Sequence, residues 1–178
     1  MVDEVYKEGP ITKDTKLYNR EEKVLSKLRG RILDVGCSGG RLLVKATVLG
    51  HDIIGIDRDI LKVREAEERA KLSGVEIRAK HLSTDDEHMI GEIFDTIVMG
   101  EVIEHTLEPQ KLIVQMLEYL KPDGQLLITT PAGMAHFDAD HKSFFITRKT
   151  ADILTKHWMI EFLPLLWFRT HRMIIWDT

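Results

Sequence analysis

Ile32-Leu33-Asp34-Val35-Gly36-Cys37-Ser38-Gly39-Gly40-Arg41-Leu42-Leu43 reads as a buried strand, a glycine turn and the first turn of a helix. Its strand portion is apolar apart from Asp34, and a strand that is hydrophobic on both sides belongs inside a sheet covered on both faces. The glycines let the chain reverse tightly and let backbone approach a ligand closely. In an open α/β sheet such a turn leaves the carboxyl edge, where ligands bind near the topological switch point. Two familiar readings fail on spacing. G-x-G-x-x-G would need glycine where Ser38 and Arg41 stand, and no G-K-[ST] follows the loop as a Walker A motif requires.

Outward from this stretch, short β-branched or aliphatic runs recur at Asp52–Ile56, Val75–Ala79, Phe94–Val98 and Gln125–Thr129. Each is predicted as a strand, as is Arg31–Val35. Segments of helical period separate them, such as Leu112, Ile113, Met116, Leu117 and Leu120, which form one apolar stripe. Gly30, Gly50 and Gly74 stand where left-handed helix ends are expected, Thr84-Asp85-Asp86-Glu87 resembles a capping box, and Pro109 suits a first helical turn. Strand–helix–strand units with nearly continuous apolar strands predict a doubly wound α/β domain with a mostly parallel sheet. After the fifth strand the pattern changes: Thr147–His157 reads as a helix, and Met159–Phe168 and Arg172–Trp176 as strands joined by Arg169–His171. So short a link permits only an antiparallel hairpin, so a seven-stranded sheet with an antiparallel C-terminal edge is expected. Residues 1–14 are expected to be a mobile arm on a single domain spanning 1–178.

The 178 residues carry 25 Lys+Arg against 29 Asp+Glu, a net charge of −4, with 43% hydrophobic residues. This supports a full core and gives no basic footprint for non-specific duplex binding. Cys37 is the only cysteine, so neither an intrachain disulfide nor a cysteine-based zinc site can form, and a reducing, cytoplasmic setting fits. The N-terminal stretch lacks a signal-like apolar core, and Glu161 and Pro164 interrupt the most apolar segment, so no membrane association is expected.

The glycine stretch resembles motif I of the class I S-adenosylmethionine (SAM)-dependent methyltransferases, D-x-G-x-G-x-G, with Ser38 at the middle glycine. The chemistry agrees, because an acid at Asp34 would repel a pyrophosphate but tolerate an ammonium and a sulfonium cation. Asp57 ends the second strand 21 residues after Gly36, the place of a ribose-binding carboxylate. Phe94-Asp95-Thr96-Ile97-Val98-Met99-Gly100-Glu101 and Leu120-Lys121-Pro122-Asp123-Gly124 resemble the family's fourth-strand motif and its turn into the fifth strand. The resemblance covers about residues 28–148. It implies a Rossmann-like methyltransferase fold, SAM as methyl donor with S-adenosylhomocysteine as product, and a cofactor site of Asp34, Gly36, Cys37, Ser38, Gly40, Asp57, Arg58, Leu82, Ser83, Gly100 and Glu101. Lys80-His81-Leu82-Ser83 departs from it, since many members place an acid after the third strand to hold the adenine amino group.

Glu101, Glu104 and His105 share one face if the segment after the fourth strand turns helically, and His136 and His141 should hang over the same cleft. Two carboxylates with one or two imidazoles suit Mg²⁺, Mn²⁺ or Fe²⁺ with open positions for substrate oxygens. The array resembles the metal motif of Hen-type small-RNA 2′-O-methyltransferases, offset by one residue, and also the Glu-x-x-Glu-His segment of ubiquinone-type O-methyltransferases. Catalytic roles thus fall to Glu101, Glu104, His105 and His141, which are also the candidate metal ligands. The alternative is that Glu104 and His105 hydrogen-bond within the loop and support its geometry. Cys37 is read as a small buried filler. The expected activity is methyl transfer to an oxygen of a small molecule. The 3′-terminal ribose of an RNA is the second acceptor, and a non-catalytic SAM-binding regulatory subunit is the alternative of another class.

Overall fold

The computed structural model describes residues 21–84, 91–130 and 172–177, and there six strands form one sheet in the order β3-β2-β1-β4-β5-β6. They are β1 (Arg31–Val35), β2 (Asp52–Asp57), β3 (Arg78–His81), β4 (Phe94–Gly100), β5 (Leu120–Thr130) and β6 (Arg172–Asp177). Every pairing is parallel. Helices α1 (Arg41–Val48), α2 (Ile60–Leu72) and α3 (Pro109–Glu118) connect them, with a 3₁₀ turn at Ile103–His105 after β4. From β1 the chain winds outward through β2 and β3, then returns to β1's other side as β4. The switch point therefore lies between β1 and β4, at the glycine stretch.

Side-chain alternation divides each central strand between two cores. Leu33, Val35, Ile97, Met99, Leu126 and Ile128 pack with Leu112, Ile113, Met116 and Leu117 of α3 on one face. Ile32, Val98 and Leu127 pack with Val24, Leu25, Leu43 and Ala46 on the other. The period of two puts Asp34 and Thr129 on this second face and Thr130 on the first. Asp34 and both threonines are buried.

Pro109 lies in the first turn of α3, and Gly30, Gly50 and Gly74 have φ of +59°, +84° and +68°, as their positions predicted. Two strand starts differ. β3 begins at Arg78 rather than Val75, because the Val75 N–H still donates to Ala70 O and residues 75–77 are spent leaving α2. β5 begins at Leu120 rather than Gln125, with a register shift between Phe94 and Thr96 that absorbs Lys121–Gly124.

β6 covers the predicted Arg172–Trp176 strand and is parallel to β5. The partner that would make an antiparallel hairpin and a seventh strand, Met159–Phe168, lies outside the described residues, as do the Thr147–His157 helix, residues 1–14 and the capping-box residues after Thr84.

Gly40 begins α1 at φ +73°, and a Cβ there would lie 2.5 Å from Ala66 Cβ of α2. Gly50 has φ +84° but no atom within 4 Å of such a Cβ. Alanine at either position meets the left-handed penalty, about 1–2 kcal/mol, and only at Gly40 is a collision added, about 1–3 kcal/mol. Urea unfolding should show Gly40→Ala clearly less stable than Gly50→Ala; equal midpoints would contradict the close α1–α2 contact.

Candidate functional site

The turn after β1 is held by one main-chain bond to β2 and one within itself. Cys37 N–H donates to Ile56 O and Gly40 N–H to Cys37 O, both at 2.9 Å. The Asp57 carboxylate then joins three segments: Oδ2 accepts from Ser38 N–H at 2.8 Å and Oδ1 from Asp59 N–H at 2.9 Å. Asp59 in turn caps α2, its Oδ1 accepting from Leu61 N–H at 2.8 Å. Ser38 takes φ +48°, so the serine at the motif's middle position adopts the conformation that a glycine would supply without strain. At Gly36, φ +68°, a Cβ would lie 2.7 Å from Val102 Cγ2, so the turn passes under the loop after β4 with no room for a side chain.

Two clefts flank this turn, one on each face of the sheet. An outer cleft of about 380 Å³ is lined by Asp57, Arg58, Leu82, Glu101 and His105, among others. An inner cleft of about 240 Å³ is lined by Asp34, Cys37, Arg41, Gly100 and Thr129, among others. Gly36 and Ser38 line both. Between the ends of β4 and β5, Glu101 N–H donates to Thr129 O at 2.9 Å, and Glu101 stands at φ +57°, a strained conformation for a non-glycine residue.

The inner cleft is unusual in its polar floor. Asp34 Oδ2 and Thr129 Oγ1 are buried without a hydrogen-bond partner, in residues only 4% and 1% exposed. Burial, reinforced by the negative charges of Asp57 and Glu21, raises the Asp34 carboxyl to about 7. The same burial, with Asp34 and Asp57 nearby, pushes the Cys37 thiol far up, so Cys37 is the inert filler its sequence position suggested. Its packing depends on Gly55, where a Cβ would lie 2.9 Å from Cys37 Sγ.

The Glu/His group is divided. Glu101 and His105 line the outer cleft, whereas Glu104 is 1% exposed and its Oε2 accepts from Thr130 Oγ1 at 3.2 Å. The 3₁₀ turn directs Ile103 and Glu104 into the first-face core, so the three side chains do not share one open face. Glu104 thus bonds to the end of β5 rather than within its own loop. Among the described residues no group of three His, Cys, Asp or Glu side chains is placed to hold a metal ion, and His136 and His141 lie outside those residues.

Of the remaining expected cofactor residues, Gly40 lies beneath the turn against Ala66, and Ser83 follows Leu82 without lining either cleft. The departing segment after β3 is tied to β2: His81 Nε2 is 3.0 Å from Arg58 O, and Leu82 N–H donates to Asp57 O at 2.9 Å. Sequence reading missed Thr129, Arg41 and Glu21, although Thr129-Thr130 does break an apolar run at a strand's carboxyl end.

A family model described as a methyltransferase domain matches residues 13–172. Among curated relatives, the ubiquinone biosynthesis O-methyltransferase of Cereibacter sphaeroides is 31% identical over 134 residues, 75% of this chain and 50% of the relative. That of Rickettsia akari is 35% identical over 120 residues, 67% of this chain and 45% of the relative. The chain spans about half the length of these relatives. The YcgJ protein from Bacillus subtilis has a similar fold, with TM-score 0.63 at 18% identity over 78% of this chain and 67% of that one. So does a SAM-dependent methyltransferase from Methanosarcina mazei, with TM-score 0.61 at 18% identity over 76% and 82%.

A carboxyl raised from 3.8 to about 7 holds a proton in the folded state that the unfolded chain has already lost between those values. Stability from Asp34 therefore falls as pH rises through about 4 to 7 and levels off above. Asp34→Asn should remove this slope and raise the thermal midpoint at pH 8, by roughly 2–4 °C per kcal/mol recovered. Calorimetric melts at several pH values check both; a midpoint at pH 8 that falls in the variant would contradict an uncompensated buried carboxylate.

Proposed function

We infer that this chain, which belongs to the class I SAM-dependent methyltransferase domain family, transfers the methyl group of SAM to a hydroxyl oxygen of a small molecule. The observation that carries this reading is the turn stitched by Asp57 between two clefts, with an acid and a hydroxyl lacking partners on the floor of one. These residues fit the cofactor. An uncompensated buried carboxylate suits a cation, a turn with no side chain at Gly36 admits close backbone approach, and Asp57 at the end of β2 suits two adjacent hydroxyls. The ubiquinone-biosynthesis relatives, named as O-methyltransferases, support an oxygen acceptor on a small molecule.

In this reading Asp34, Gly36, Cys37, Ser38 and Gly100 hold the amino-acid end of the cofactor, with Gly40 shaping the turn. Asp57, Arg58 and Leu82 hold the nucleoside, and Ser83 supports the adenine end from beyond Leu82. SAM supplies a methyl carbon already activated by its sulfonium, so the chain's work is alignment, exclusion of water and removal of one proton. Glu101 orients the acceptor hydroxyl, and His105 on the same cleft wall takes its proton as the oxygen attacks. Glu104 holds the 3₁₀ turn to β5 through Thr130, which fixes where His105 stands. His141, outside the described residues, keeps the acceptor-side role read from the sequence. No metal is assigned, because Glu104 is turned away from Glu101 and His105.

Calorimetric titration with SAM should give one site with a dissociation constant on the order of micromolar. Asp57→Ala should weaken it by roughly 10- to 100-fold, the value of charge-assisted hydrogen bonds. Saturation by SAM that is indifferent to Asp57→Ala, or no binding at all, would refute this assignment.

A further inference from the structure

The pattern D-x-G-x-G-x-G leaves position 39 open, and yet a glycine stands there. Gly36 and Gly40 need glycine for their positive φ, but Gly39 does not take one. What its bare Cα faces is α2, because a Cβ at Gly39 would lie 2.6 Å from Glu65 Cδ. Lys62, Glu65, Ala66 and Arg69 stand at i, i+3, i+4 and i+7 and so share one face of α2. Ala66 packs against Gly40, and Arg69 Nε donates to Gly39 O at 2.7 Å. Glu65 orients that guanidinium: its Oε1 lies 3.5 Å from Arg69 Nη2, while its Oε2 accepts from Lys62 Nζ at 2.9 Å.

Arg69 thereby acts on a single peptide group. The Gly39–Gly40 peptide gives its carbonyl to Arg69 and its N–H to Cys37 O, at 2.9 Å. A peptide between two glycines meets little steric resistance to turning over, so these two opposed hydrogen bonds fix its plane. Gly39, Glu65 and Arg69 line the inner cleft, and none of the three lines the outer one.

Resting on the methyltransferase reading, we propose that Arg69 is a positioning residue for the glycine turn: oriented by Glu65, it holds the Gly39–Gly40 peptide in the plane that the cofactor needs. The glycine at position 39 then seats the Glu65 carboxylate and is not there to admit the ligand. The ordering cost of the turn is met when the protein folds, before any ligand arrives, and this raises affinity without a contact between Arg69 and the ligand.

Calorimetry on the full chain compares SAM with 5′-methylthioadenosine, which lacks the amino acid and has nothing to place in the inner cleft. Arg69→Met keeps the apolar stem and removes every donor. It should weaken SAM by about five- to tenfold, the weight of one partly exposed hydrogen bond, and change 5′-methylthioadenosine by less than about twofold. A general loss of structure would weaken both probes alike. Arg69→Lys keeps the charge beside Glu65 but cannot serve carbonyl and carboxylate from one rigid fork, so it should recover only part of the affinity for SAM. Gly39→Ala displaces the carboxylate that Glu65→Ala removes. Each should weaken SAM by about two- to fivefold, and the double variant by no more than Glu65→Ala alone, since both act on the same contact. Thermal melts give the folded fraction of each variant, and Arg69→Lys carries the comparison of probes if Arg69→Met does not fold.

SAM bound as tightly by Arg69→Met as by wild type, equal loss of both probes, or a double variant whose loss is the product of the two single losses would each overturn this inference and leave the methyltransferase reading standing. Failure of wild-type protein to bind either probe would overturn both.

Discussion

The carboxylate of Asp57 is the interaction on which the functional edge depends. One oxygen takes the amide of the β1 turn and the other takes the amide that leads into α2, so three chain segments meet on one side chain. Apart from Cys37 the turn is built of glycines and a left-handed serine, and Arg69 Nε supports it from α2 by donating to Gly39 O at 2.7 Å. Main-chain bonds from Cys37 to β2 and from Leu82 to the end of β2 continue the stitching sideways. The carboxyl edge of β1, β2 and β3 is thus one cross-linked rim, and rigidity of this kind is what a positioned binding site requires.

Against this order stand features that cost stability. Asp34 is buried without compensation, Thr129 Oγ1 is buried without a partner, and Ser38 and Glu101 occupy left-handed backbone. All of them lie at the carboxyl edge of the sheet. Elsewhere the central strands alternate cleanly between two cores, and buried Glu104, Thr96 and Gln125 each have hydrogen-bond partners. Local frustration concentrated at one edge of the sheet marks the functional region without recourse to resemblance.

The fold was legible because its signals are local. Apolar runs of strand length, Pro109 at a helix start and glycines at helix ends needed no tertiary information, and they placed β1, β2, β4 and the helices α1, α2 and α3. Where local signals misled, competing hydrogen bonds explain it. Val75 bonds back to Ala70, delaying β3, and the register shift opposite Phe94 allows β5 to begin before its apolar run. The site was half legible. Asp34, Gly36 and Asp57 carry a recognisable spacing. Glu104 does not reveal from sequence that its i+3 relation to Glu101 becomes a turn with one acid in the cleft and one in the core. Arg41 and Glu21 are 20 residues apart, and only the fold brings them together.

The two clefts lie on opposite faces and share only the crest at Gly36 and Ser38. A ligand that spans them is recognised as two tethered fragments, each with its own subsite, and its affinity reflects effective concentration more than the strength of either half. On the proposed reading both fragments survive methyl transfer intact. Product formation removes a methyl group and one positive charge near Asp34, but neither tether point. The spent cofactor thus remains a strong competitor for the fresh one, and turnover depends on how quickly one half lets go while the other still holds.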